Sequence, residues 1–468
     1  MPPPTPIENQ NSKIENTIYR RFFTAGILLI LTAGATWGAW LLWRIGFAGK
    51  FTGIAIHDVN AHGHAQIYGW VGLFIMGFAY QAFPRLWHTT LAAPRLAVAA
   101  FLAMVVGLIL RTVGMTASGA WASALPLAMT GGALEIAAIL VFAGQLLTTF
   151  ARSTARLEPY VGFILAALGW FYLQALVDVW HTYTTMTAPT RDRLLWYIAT
   201  YQAPLRDLQI HGLALFMILG VSLRMLPAFL GVAEIPARRA WRALAILTAA
   251  VALECILFIA YRWTGNHALA ATLMVPWLML AAGIAMIALP WKLWRPVPTP
   301  DRSAKFFRTA YLWLAVSMVM LLCLPVHQAA TGIKFSHAYY GAIRHAITVG
   351  FISLMIMGIA ARVVANLNGR DPRQLTQLWG PFLLVNLGCF LRVSLQSLTD
   401  LHPAFFAVVG LSGTLEVAGL AWWGTGLVRI MRQGKRKTLE DTQSTTAPAA
   451  AIAPPAPQEA ECEHCGCT

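Results

Sequence analysis

The segment HGHAQIYGWVGLFIMGFAYQAFPR, residues 62–85, opens with two histidines, continues mostly apolar and closes on Pro84-Arg85. A run of roughly 20 apolar residues is what a helix needs to cross about 30 Å of hydrocarbon. Within a bilayer the backbone must satisfy its own hydrogen bonds, so such a run reads as a helix. Comparable stretches recur near 22–43, 64–84, 95–115, 121–147, 159–181, 207–230, 241–261, 268–290, 308–328, 340–364, 378–397 and 403–428. The composition agrees: of 468 residues, 58% are apolar and 11% charged, against roughly a quarter charged in soluble domains. So little charge cannot cover an aqueous surface, and lipid must solvate much of the chain. The 18 Trp suit membrane interfaces, and the six Cys are too few for a disulfide framework. The expected fold is an all-α polytopic membrane protein with about 12 transmembrane helices over 22–430. Polar tails flank it at 1–21 and 431–468.

The net charge of +15 follows from topology. Lys and Arg gather at the termini and in the even-numbered loops, as in Arg238, Arg239 and Arg242, or Lys292, Arg295, Arg302, Lys305 and Arg308. The positive-inside bias then puts both termini in the cytoplasm. Membrane lipid is the partner of this charge, and a nucleic-acid role is excluded.

The segment 62–85 also has relatives within the chain. At an offset of 281, His64 falls on His345, Gly69 on Gly350, Gly77 on Gly358, Gly107 on Gly388, Arg111 on Arg392, Gly132 on Gly413 and Glu135 on Glu416. At 143, Gly69 falls on Gly212, Gly77 on Gly220 and Pro84 on Pro227, while Arg224 meets Arg362 at 138. Glycine matches are common between membrane helices, which pack through small residues; a matched His, Arg and Glu are not. The expected organisation is three four-helix units, about 22–147, 159–290 and 308–430, related by a pseudo-threefold axis. Helices two, six and ten are then equivalent.

Of the 12 His, most fall at or near the outer ends of the helices. A buried imidazole in a bilayer marks a functional site by default, and neutral imidazole suits haem iron, copper or zinc. The matched pair His64 and His345 is the expected axial pair of a low-spin haem. His62, His211 and His337 remain for a second metal or haem. For any one of them, a hydrogen bond to a neighbouring helix is the plainer reading. Asp178 and His181, three apart, form either a supporting pair or a helix end.

Four further charges lie in helices at matched positions. Glu135 and Glu416 sit much deeper than Arg111 and Arg392, so direct pairing is not expected; the arginines suit carboxylates such as haem propionates, and the glutamates a proton or a ligating His. Arg224 and Arg362 end their helices on the cytoplasmic side and are expected to snorkel. In the tail, Cys462, His464, Cys465 and Cys467 offer soft ligands for Cu(I) or Zn, beyond an Ala/Pro-rich linker at 446–457.

The residues His62-Gly-His64 through Gly69, Gly77 and Pro84-Arg85 resemble the His-x-His opening of the NnrS family. Gly220, Arg224 and Pro227 resemble its Gly-x-Arg-x-x-Pro helix end. His345-Ala346, Gly350, Met357, Arg362 and Gly369-Arg370 resemble its tenth-helix pattern. Ala65 and Leu367 depart from it, standing where the family has an acidic residue and a His. The resemblance covers most of 20–430. It implies a twelve-helix protein that binds haem and copper and that serves the bacterial response to nitric oxide; haem b is the expected form. A periplasmic electron donor and a small gas are the partners it implies. Helix count, repeat and His placement also resemble haem-copper oxidase subunit I, which implies an oxidase or nitric oxide reductase-like enzyme. The absence of His from 241–261 weighs against that reading. A copper transporter using the His and the tail thiols is the third.

Overall fold

The computed structural model describes residues 6–296, 302–372 and 378–446. The tail ligands Cys462, His464, Cys465 and Cys467 lie outside these residues. Twelve long helices follow one another among the described residues. Helix α1 runs from Pro6 through a π-helical turn at Ile30–Gly34 to Ala48. Helix α2 spans 56–86, with a π-helical turn at Ala65–Gly72. There follow α3 (Pro94–Thr116), α4 (Ala124–Ala151), α5 (Pro159–Met186), α6 (Arg191–Leu230), α7 (Ala237–Thr264), α8 (His267–Trp291), α9 (Ala304–Leu322), α10 (His337–Leu367), α11 (Trp379–Leu398) and α12, which reaches Thr446.

Eleven of these are long and apolar enough to cross a membrane on their own composition. The twelfth, α2, falls short because Gln66, Tyr68, Trp70, Tyr80 and Gln81 dilute it. It can afford them: every residue from 67 to 81 is buried by protein, and a helix shielded from lipid needs no uniform apolar surface. Helical structure reaches into both expected tails, since α1 is helical from Pro6 and α12 continues past 430.

Successive helices pack on one another and α12 closes back onto α1, making a ring. Helices α2, α6 and α10 turn inward. Of the most apolar stretch, 72% is buried in α10 and 61% in α6, against 33% in the peripheral α7. Each inner helix meets its neighbour at a glycine: a Cβ on Gly77 would strike Phe22, on Gly220 Phe163, and on Gly358 Phe307. These close approaches require glycine. The repeat extends to backbone hydrogen bonding, because α6 carries a π-helical turn at Leu208–Ala214 and α10 one at Ala346–Ser353. The offset of 281 carries Ala65–Gly72 onto Ala346–Ser353 residue for residue. Such turns add a residue to the helix, re-aim side chains and free carbonyls, and they concentrate at functional sites.

Candidate functional site: three buried histidine clusters

The π-helical turns of α2, α6 and α10 each begin beside or contain a histidine, and each histidine faces a different polar setting. In α2, His64 sets Nε2 2.7 Å from Glu135 Oε1 of α4 and Nδ1 3.3 Å from Asp178 Oδ2 of α5. Arg111 of α3 ties the two carboxylates together: Nη1 donates to Glu135 Oε2 at 2.8 Å, and Nη2 lies 3.0 Å from Asp178 Oδ2 and 2.7 Å from Thr182 Oγ1. All three of His64, Arg111 and Glu135 are at most 1% exposed. A neutral imidazole has a single N–H, so both contacts are hydrogen bonds only if the ring is an imidazolium or one acid keeps its proton. With an imidazolium, two cations face two anions and the cluster is neutral.

This corrects the expectation that Arg111 and Glu135 do not pair. A Cβ on Gly107 would meet Gly131 O and Glu135 Cγ, and one on Gly114 would meet Ala124 O. A Cβ on Gly131 would meet Arg111 N and Cβ, so Arg111 stands level with Gly131, about four residues or roughly 6 Å above Glu135 along α4, a gap that the two long side chains close. Nor does Asp178 serve His181, whose Nε2 is buried without a partner.

The matched site on α10 differs. His345 Nδ1 lies 3.1 Å from Gly341 O in its own helix. Arg392 of α11 and His62 of α2 are within electrostatic reach of it. His62 Nδ1 is 3.0 Å from Gly34 O, a carbonyl at the end of the π-helical turn of α1, and its ring occupies the space a Cβ on Gly38 would need. Glu416 Cγ packs where a Cβ on Gly388 would stand, as Glu135 does at Gly107. Yet Arg392 and Glu416 form no ion pair, as expected. Arg392 Nε and Nη1, Glu416 Oε1 and Gln396 Oε1 are buried without hydrogen-bond partners.

In α6, His211 Nδ1 lies 2.8 Å from Glu254 Oε1 of α7. The pair borders a cavity of about 30 Å³ that Asp207, Tyr340 and Arg344 also line, and Glu254 Oε2 has no partner. Sequence reading missed Glu254. The signal was present: the 143 offset puts it at the position of Arg111, so the middle unit carries acids where the first has His and Arg.

The remaining candidates are not drawn into these clusters. His337 is exposed at the start of α10, its ring against Phe335. Arg224 is exposed beside Tyr160, and Arg362 stands 4.0 Å over the ring of Phe229. A pair that sequence reading missed lies near the start of α10: His327 Nε2 is 3.0 Å from Asp400 Oδ2, which also takes the hydroxyl of Ser336, the residue capping α10. Among the described residues, no three His, Cys, Asp or Glu converge as a metal-ligand group.

The fold is similar to that of a solved haem-copper terminal oxidase, determined by cryo-EM as a dimer. The likeness has a TM-score of 0.61 at 13% identity, over 94% of this chain and 85% of that one. No curated protein matches the chain in sequence. The NnrS protein family model matches residues 16–435, and the chain belongs to that family.

Proposed function

We propose that this is a haem-binding protein of the bacterial inner membrane acting in the nitric oxide response or metabolism. Both termini face the cytoplasm and the histidine end of the bundle faces the periplasm. The carrying observation is the set of buried, unpartnered polar atoms around His345. A ligating His usually fixes its ring through one nitrogen, often to a backbone carbonyl, and offers the other to the metal. His62 and His345 are held in this way through Nδ1. Arg392 has donors to spare, and a planar guanidinium suits a carboxylate side arm. These residues fit a haem: His62 and His345 as iron ligands, Arg392 toward a propionate. With no Cys-x-x-Cys-His in the sequence, attachment is non-covalent, as in haem b.

His64 fits less well, since both ring nitrogens already face carboxylates; the residues proposed to hold the haem are His345 and His62. Bound haem would supply an iron able to take nitric oxide and to exchange an electron with a periplasmic donor. The protein's part is to fix two imidazoles, neutralise a side arm and exclude water.

Among the described residues no three His, Cys, Asp or Glu are arranged as a metal-ligand group. If the chain carries copper, the tail thiols are its donors, and deleting 458–468 should lower copper content while leaving haem unchanged. The threefold division into four-helix units is part of this proposal, supported by the matched glycine contacts and π-helical turns. The test is the absorption spectrum and haem content of the purified protein. A low-spin haem that disappears in His345→Ala is expected. Haem-free wild-type protein, purified from haem-replete cells, overturns the reading.

A further inference from the structure

A second feature lies on the axis where α2, α6 and α10 meet, away from the histidines. A pocket of about 60 Å³ is lined by Phe74, Met217 and Met355 and, beside them, Ile75, Ile218 and Ile356. These are two sets of matched positions: the offsets of 143 and 281 carry Phe74 onto Met217 and Met355, and Ile75 onto Ile218 and Ile356. Equivalent residues of three repeats converge only where the repeats share an axis. One turn before Phe74, the Trp70 ring packs on it at 4.5 Å and donates Nε1–H to Ser353 Oγ at 3.1 Å. That layer stands between the pocket and the histidine end.

The walls are apolar, and the pocket is partly enclosed: Ile218, Ile356 and Ile359 in its lining are only half-buried. Water in a buried site needs two to four polar partners, so an apolar cavity stays dry and takes apolar guests; one of about 150 Å³ admits benzene or xenon. At less than half that volume, this pocket is too small for a ring but admits a single atom or a diatomic molecule. Methionine and isoleucine supply polarizable, adaptable walls for such a guest. The pocket lies about ten residues from His64 along α2, roughly 15 Å at helical rise.

We propose that the axial pocket is a binding site for one small uncharged gas molecule, which it holds within the bundle below the histidine clusters. Its link to nitric oxide rests on the function proposed above; the binding itself does not. Gases of this class partition from water into apolar surroundings, and the pocket offers such surroundings next to the site.

Xenon is the probe. Crystals of the full-length protein equilibrated under xenon pressure should show one anomalous peak between Phe74, Met217 and Met355. Met217→Phe and Ile356→Trp, which fill the space, should each lose that peak. An axis without xenon, in wild-type crystals that bind xenon elsewhere, overturns the proposal; so does density for an ordered acyl chain there. Haem content, read by absorption on the same preparation, separates the two readings. Haem present without axial xenon refutes the gas site alone, and axial xenon without haem refutes the haem assignment alone.

Discussion

His64 and His345 occupy matched positions in one chain, each at the start of a π-helical turn, and their surroundings could hardly differ more. At His64 the charges pair: Arg111 bridges Glu135 and Asp178 and the ring lies between the two acids, which leaves Arg111 Nε without a partner. At His345 the matched Arg392 and Glu416 leave buried donors and acceptors without partners. The difference comes from the neighbouring helix. Helix α5 brings Asp178 to the first site, whereas α1, next to α12 in the ring, holds no acidic residue from Asn11 to Ala48 except Glu15. It presents Gly38 and the Gly34 carbonyl to His62 instead. A repeated sequence thus yields one closed electrostatic bridge and one open polar site. Buried polar groups are normally satisfied, and this is what supports the open site as the proposed cofactor site.

The comparison breaks most easily at the arginines. Arg111→Met strands two buried carboxylates and should cost about 3–5 kcal/mol of stability. Arg392→Met removes no hydrogen bond to protein and should cost about 1 kcal/mol or less. Thermal unfolding of both variants in detergent, prepared without haem, checks this; equal losses would erase the distinction. Next in size, Asp178→Asn should cost about 1–3 kcal/mol by unbalancing the bridge, while Glu416→Gln should be close to neutral in the same assay. Packing, by contrast, is shared by the two sites. Gly107→Val and Gly388→Val should each lose about 1–3 kcal/mol from overpacking, and a large inequality would show that the two interfaces are not equivalent. A smaller loss than overpacking causes is expected between the sites, where Trp70→Phe gives up one hydrogen bond to Ser353, about 1 kcal/mol.

Much of this was legible in the sequence. Apolar runs locate the helices, and the single offset of 281 links His64 with His345 and Arg111 with Arg392. Other features left no trace there. The π-helical turns change which carbonyl a backbone N–H meets, which composition does not record. Asp178 reaches His64 from a helix more than a hundred residues away, and no spacing rule connects the two. The Arg111–Glu135 pair was misjudged because depth was counted along backbones and the reach of the side chains was left out. Glu254 was recoverable: carrying the 143 offset one helix further lands on it. His62 was singled out, but its orientation depends on the Gly34 carbonyl, which only the folded α1 supplies.

The central claim is that the His345 side of the bundle holds the ligand and the His64 side is a structural bridge. Haem content per protein, measured by absorption on purified His345→Ala and His64→Gln, tests it most directly. Loss of haem from His345→Ala, with haem retained by a less stable His64→Gln, is the predicted result. Haem retained in His345→Ala and lost from a folded His64→Gln would contradict it.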